Sequence, residues 1–271
     1  MNRYRLHNFD LCQNPESGDW RLLIKGDITY KHILQRAFPD LFFSTTFQDR
    51  HSIYNWGTYI KGLEDGPSEI AQFCHFLHNV IYLDDNIDEC FALDVHTIVN
   101  PGGRSPRTET GQLVYDAKPY EPDAFPRDFT AVQRLADKFS SFIWAHPTYW
   151  RADVILAVPP SNPDKRFDLP SCLVKLISTM EGFQGKVANK GIRKVRATLA
   201  MKDCVTQEEK IQNIRDAFEV SVPTAFAGKT VIVVDDIYHS GSTIKEVGRM
   251  LKLAGARLVL GLVATKTQRD L

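Results

Sequence analysis

The sequence contains no pair of cysteines in C-x-x-C spacing. Its five cysteines, Cys12, Cys74, Cys90, Cys172 and Cys204, are scattered and odd in number. Such usage argues against a disulfide framework and against a zinc ribbon, and it fits a reducing interior. Net charge is missing as well: Lys+Arg and Asp+Glu both number 33. No global field therefore draws the chain onto nucleic acid or an anionic membrane, although a local basic patch stays open. There is no uninterrupted apolar run of the roughly 20 residues that a membrane-spanning helix needs. The opening MNRYRLHNFDLCQ lacks an apolar core of the signal-peptide kind. The expected location is the cytoplasm.

What is present is ordinary globular composition. The chain of 271 residues is 43% hydrophobic and 24% charged, enough for one large domain or two smaller ones with a core that needs no covalent staple. Two halves differ in texture. Residues 1–110 are rich in aromatics and read as an α+β region. Strands are expected at 19–30, 52–62 and 91–99, and helices at 31–38 and 67–83. The last of these carries Ile70, Phe73, Leu77, Val80 and Ile81 at helical spacing. Cys74, His75 and His78 share that helix, and packing is the better account of them than metal binding. NPGGRSPRTETG (100–111) reads as an exposed loop or linker.

Residues 111–271 are more regular. Helices are expected at 129–144, 169–180 and 242–256. Apolar strands are expected at 152–160, 229–236 and 257–266. Apolar strands alternating with helices imply an open, mainly parallel α/β sheet with flanking helices. Ligands of such sheets sit outside the carboxyl ends of the strands.

VIVVDDIYHSGST (231–243) puts two acids at that position. Ser240, Ser242 and Thr243 supply hydroxyls, Gly241 permits close backbone approach, and the following helix offers unpaired N–H groups. Together these describe a phosphate cradle. Asp235 and Asp236 suit hydrogen bonds from a diol. A diol clamp beside a phosphate cradle describes a ribose 5-phosphate site. The plainer alternative is a strand end followed by a serine N-cap.

The stretch resembles the phosphoribosyl diphosphate (PRPP) motif of type I phosphoribosyltransferases. The resemblance implies that Asp235 and Asp236 bind the ribose hydroxyls and that His239, Ser240, Gly241, Ser242 and Thr243 wrap the 5′-phosphate. His239 stands where the family usually has Thr; it adds charge, narrows the pocket, or faces solvent. DVILAVPPSNPDKRF (153–167) is similar to the superfamily's first core strand and diphosphate loop, with Pro160, Ser161, Lys165 and Arg166 as the implied contacts. The subgroup most resembled is the ComF-like phosphoribosyltransferase domain, matched loosely by KVRATLAMKDCVTQEEKIQNIRDAFEV (194–220) and covering about residues 111–271.

The implied reaction is attack of a nitrogen nucleophile on C1 of PRPP with loss of diphosphate. Mg²⁺ is the implied cofactor, reached through substrate and water with no direct protein ligand. The departing charge calls for cations, and residues 186–202 carry Lys186, Lys190, Arg193, Lys194, Arg196 and Lys202 without one acid. That segment reads as a catalytic lid, with Arg196 and Lys202 as the leading catalytic candidates beside the two aspartates. Two other roles stay open: a PRPP- or nucleotide-sensing regulator without turnover, and a ComF-like accessory in DNA uptake, stress or mobile-element defence. Residues 1–110 are left as a hood over the base or a surface for a protein or nucleic-acid partner. A homodimer is a further option.

Overall fold

The computed structural model describes residues 5–48, 53–63, 66–83, 87–100, 105–119, 121, 124–160, 166–188, 190–196, 198, 204 and 206–268. Two compact units are formed. The first comprises the chain up to Tyr82 together with Ala145–Thr148, and the second comprises Leu83–Trp144 and Tyr149 onward. The expected boundary at 110/111 falls inside the second unit.

In the first unit, strands β1 (Asn8–Gln13), β2 (Trp20–Lys25), β3 (Phe42–Phe43) and β4 (Trp56–Lys61) make an antiparallel sheet in the order β1-β2-β4-β3. Helix α1 (Thr29–Ala37) buries Tyr30, Ile33, Leu34 and Ala37. This i, i+3, i+4, i+7 set is one apolar stripe. The expected strand at 19–30 stops at Lys25, because Asp27 accepts from the Thr29 amide at 2.9 Å and starts the helix. The expected helix at 67–83 is shorter, α2 (Ser68–His78), and is followed by the short strand β5 (Ile81–Tyr82). The Asn79 side chain donates to the His75 carbonyl at 2.9 Å and closes the helix. Cys74 is fully buried, which pushes its thiol up to about 12. His75 meets Phe9 edge-on, and His78 Nδ1 lies 2.9 Å from the Leu6 carbonyl. Packing thus accounts for these side chains, and the described residues contain no metal-holding group of three or more His, Cys, Asp or Glu.

The second unit is built on a parallel sheet. Its strands are β6 (Glu89–Val95), β7 (Val154–Ala157), β8 (Lys186–Val187), β11 (Thr230–Tyr238) and β12 (Leu258–Lys266). They run β6-β12-β11-β7-β8, every pairing parallel. Helices α3 (Glu109–Asp116), α4 (Phe129–Ala145), α5 (Pro147–Trp150), α6 (Leu169–Ile177) and α8 (Ser242–Leu253) connect or flank these strands. Val231–Val234 and Val259–Leu260 are fully buried, as strands covered on both faces should be. Phe91, Phe142 and Tyr149 cluster beside them, and the Tyr149 hydroxyl donates to the Gly261 carbonyl at 2.8 Å. The buried phenol is therefore satisfied.

A smaller antiparallel ribbon, β9 (Ile192–Lys194) with β10 (Phe218–Val220), brackets helix α7 (Gln207–Ile214). Thr206 and Glu209 form a capping box at the start of α7. The ribbon is tied to α8 through Asp216, whose amide donates to Glu246 at 2.8 Å, while Arg249 bridges Glu246 and Asp216 at 2.7 and 2.5 Å. No helix among the described residues is long and apolar enough to cross a membrane.

Packing on β12 leaves no room for a side chain at Gly261. A Cβ there would meet Cys90 Sγ at 2.5 Å and Ile244 Cδ1 at 2.9 Å. Gly261→Ala is expected to lower stability by about 1–3 kcal/mol through overpacking, read as a fall in the urea midpoint with little change in slope.

Candidate functional site

Strand β11 outruns its neighbour. Its pairing with β7 ends at Val234 opposite Ala157, with one more bond from the Val158 amide to the Val234 carbonyl at 2.9 Å. On the other side β12 continues to Lys266 opposite Tyr238. Asp235 and Asp236 therefore project past the end of β7 at the carboxyl edge of the sheet. The expected strand 229–236 extends through both acids to Tyr238.

The two carboxyls are unequal. The Asp236 amide donates to Asp235 Oδ1 at 2.8 Å, and Lys118 Nζ pairs with Asp236 Oδ2 at 2.7 Å. Burial, and after it the neighbouring Asp236 charge, push the Asp235 carboxyl up to about 8. Like charges at this spacing disfavour double ionisation. Asp168 adds to the rise, while the Asp236 amide and Lys118 oppose it. Asp168 is the N-cap of α6, accepting from the Ser171 amide at 3.0 Å.

Beyond the acids, the loop turns on Gly241, whose φ is +73°. A Cβ there would lie 2.3 Å from the Tyr238 hydroxyl. Glycine is needed both for the left-handed backbone and for the close approach. Gly241 is also the N-cap of α8, and no side chain caps that helix start. Ser240 and Ser242 bond to each other instead, Oγ to Oγ at 2.9 Å. The serine N-cap alternative is thus not what the chain adopts, and the first N–H groups of α8 receive no side-chain cap. Such a terminus favours an anion. Ser242 is buried, Ser240 and Thr243 are half-buried, and His239 is exposed.

The cations foreseen for the leaving group lie in other company. Arg196 Nη2 donates to the Asn213 and Arg215 carbonyls at 2.9 and 2.8 Å, closing the end of α7. Arg193 pairs with Glu219 at 2.8 Å, and Lys194 donates to the Thr198 hydroxyl at 2.6 Å. Arg166 lies over the Phe125 ring at 4.2 Å, and Pro160 is half-buried just past β7. Ser161, Lys165 and Lys202 lie outside the described residues.

Three site residues escaped the sequence reading. Lys118 sat in a proline-rich loop with nothing to mark it. Asp168 carried a signal, an acid directly before a helix with proline in its first turn, but it was not singled out. His96 was read as part of a strand running to Val99; the strand ends at Val95, so His96 stands at a parallel-strand carboxyl end.

Residues 189–269 match the model of the phosphoribosyl transferase domain. That match, with the sheet order and the acid pair at its carboxyl edge, gives the second unit the type I phosphoribosyltransferase fold. Among curated proteins no sequence matches the chain. Two solved structures are similar to it at low identity. One is described as the allosteric regulatory enzyme of purine biosynthesis, 17% identical over 91% of this chain and 47% of its own, TM-score 0.35. The other is glutamine PRPP amidotransferase from B. subtilis complexed with ADP and GMP, 16% identical over 90% of this chain and 46% of its own, TM-score 0.37. The chain spans about half the length of each.

The raised Asp235 carboxyl has a consequence for stability. Folded, it keeps its proton up to about pH 8, whereas its ordinary value is 3.8. Between these values the native state binds more protons than the unfolded chain, so stability falls as pH rises. Asp235→Asn keeps the Oδ1 acceptor and removes the titration. The variant is expected to melt with wild type near pH 4 and roughly 3 to 6 °C above it at pH 8, measured by calorimetry without ligand.

Proposed function

We propose that the second unit binds PRPP at the carboxyl end of β11 and transfers its phosphoribosyl group to a nitrogen acceptor with release of diphosphate. The observation that carries this reading is the juxtaposition of Asp235 and Asp236 with a glycine-opened helix start that no side chain caps. The acids accept hydrogen bonds from the 2′- and 3′-hydroxyls. The amides of residues 239–243 and the hydroxyls of Ser240, Ser242 and Thr243 receive the 5′-phosphate. Binding the diol requires Lys118 to leave Asp236 or to share it.

The family implies Mg²⁺. Hard oxygen donors suit that ion, which keeps several waters and is commonly held through substrate phosphates. A carboxyl pair bearing one proton and one lysine fits this arrangement, with the diphosphate holding the ion and Asp235 and Asp236 orienting the ribose end. When bound, the ion neutralises charge on the departing diphosphate. The protein's own part is to hold the ribose, exclude water and position the acceptor. Arg196 Nη2 is engaged by two carbonyls at the end of α7, so any part it takes in diphosphate binding competes with that tie. Lys202, Ser161 and Lys165 remain part of the proposal as lid and diphosphate-loop contacts.

A second reading, PRPP binding without turnover, draws support from those occupied cations. Arg193, Lys194 and Arg196 each have a local partner in place of an open site.

PRPP with Mg²⁺ is expected to raise the melting temperature, as a ligand at ~100 Kd contributes about 2.7 kcal/mol. Asp236→Asn is expected to weaken PRPP binding by roughly tenfold or more, in line with a lost charge-assisted hydrogen bond. Diphosphate release in the presence of nitrogen bases separates the two readings: release with any base supports transfer, and binding without release supports the sensor. A chain that binds neither PRPP nor ribose 5-phosphate ends both.

A further inference from the structure

Past the carboxyl end of β6, against α3, lies a cleft of about 900 Å³ lined by His96, Thr97, Asn100, Arg107, Gln112 and Leu113, among others. Its volume falls within the range of small-molecule sites. His96 stands where the cleft meets the carboxyl edge of the sheet. Only β12 separates β6 from β11, and the register sets His96 three to four residues further along the strands than the acids, so its backbone lies roughly 14–16 Å from theirs by strand spacing and rise.

The His96 backbone is held from several directions, and the ring is held through Nδ1. Its Nδ1 lies 3.0 Å from the Thr265 hydroxyl. The His96 amide donates to the Lys266 carbonyl at 2.8 Å, and its carbonyl accepts from the Thr108 amide at 3.3 Å. Helix α3 comes so close that a Cβ at Gly111 would sit 2.1 Å from the His96 carbonyl oxygen. Thr108, the N-cap of α3, donates its hydroxyl to the Val95 carbonyl at 2.6 Å. A surface histidine needs none of this support. Positioned side chains of this kind are how sites are pre-organised.

The charges around His96 oppose a further positive charge. Burial first, then Arg107, Lys118 and His239, hold its value below the ordinary 6.5, with Asp236 pulling the other way. Lys266 on β12 and the cleft residues Glu109, Asp116 and Arg134 complete the charged set nearby. Near pH 7 the ring is neutral. The tautomer that donates Nδ1–H to the Thr265 hydroxyl leaves a lone pair on Nε2.

The cleft walls are polar but largely self-compensated. Arg134 pairs with Glu109 at 2.8 Å, Gln112 donates to Asp116 at 2.9 Å, and Arg107 lies over the Tyr115 ring at 3.9 Å. Amides and hydroxyls, not an unbalanced charge, are what the walls offer a ligand.

We propose that this cleft receives the nitrogen acceptor, an uncharged planar heterocycle with a ring N–H and hydrogen-bonding exocyclic groups, and that His96 takes the proton which that nitrogen loses. The inference rests on the phosphoribosyl-transfer reading above. As the ring N–H proton passes to His96 Nε2, the nitrogen's electron pair forms the bond to C1. The C1–O bond breaks, and its electrons leave with diphosphate.

The test uses the full chain, PRPP with Mg²⁺, and adenine, hypoxanthine, cytosine and uracil as probes. In wild type, kcat/KM for an accepted base is expected to fall on an acid limb below pH 6.5. His96→Gln is expected to keep the PRPP melting shift, to lower kcat/KM on the order of 100-fold or more, and to lose that limb. Transfer within about threefold of wild type, or an unchanged limb, overturns the assignment of His96. A second arm needs no turnover. The ring carbon resonance of His96 in labelled chain, assigned by its loss in His96→Gln, is titrated with each base. Saturable displacement supports the cleft; a resonance unmoved by all four bases overturns it. Failure of PRPP to bind sinks the proposed function alone, because this titration is read without PRPP.

Discussion

The second unit depends on one mismatch in strand length. β11 is paired on both sides through Val234 and then on one side only, since β7 stops while β12 continues. A parallel strand that is buried on both faces disfavours an acid. Released from one neighbour, the same strand can carry two. The overrun thus lets a buried apolar strand end in a pair of acids, the candidate site, without a break in the backbone. It also brings three separate chain segments to one edge: the α8 start through Gly241, the α6 start through Asp168, and the loop after α3 through Lys118.

The acids then set the electrostatics of their surroundings. Two carboxylates side by side cannot both ionise cheaply. The chain answers by keeping a proton on Asp235 and a lysine on Asp236. A ribose diol is a suitable replacement for that lysine, since it donates hydrogen bonds without adding charge. Burial first, and then Arg107, Lys118 and His239, hold the His96 value down, so Lys118 acts on the imidazole as well as on the acids. The acid pair and the imidazole thus share Lys118 in one local charge balance.

Much of this was legible in the residues themselves. An apolar β-branched run followed by two acids, hydroxyls around a glycine, and an amphipathic helix names a strand, a candidate site and a helix start in order. Local chemistry decides each of these, so the reading of 230–253 needed no partner. The first unit was harder. Its strands are short and half-buried, and 19–30 or 67–83 mix helix and strand patterns within one window. The turn at Asp27 and the helix end at Asn79 rest on side-chain hydrogen bonds that periodicity does not report. The basic segment shows a different limit. Its cations were taken together as a lid, yet Arg196 closes α7 and Arg193 pairs with Glu219, because β10 and α7 return to meet them.

By itself, then, the sequence determined the parallel α/β character of the second unit, the position of Asp235 and Asp236 at a strand end, and the glycine on which the loop turns. Those follow from residue type and spacing over a few positions. Only the tertiary structure decided that Lys118 lies on Asp236, that Asp168 borders the pair, and that His96 ends its strand and faces Thr265. Those neighbours are separated by 118, 67 and 169 positions along the chain. They are brought together by strand order and by the stopping point of each strand, which hydrogen bonding across the whole sheet sets and no local pattern records.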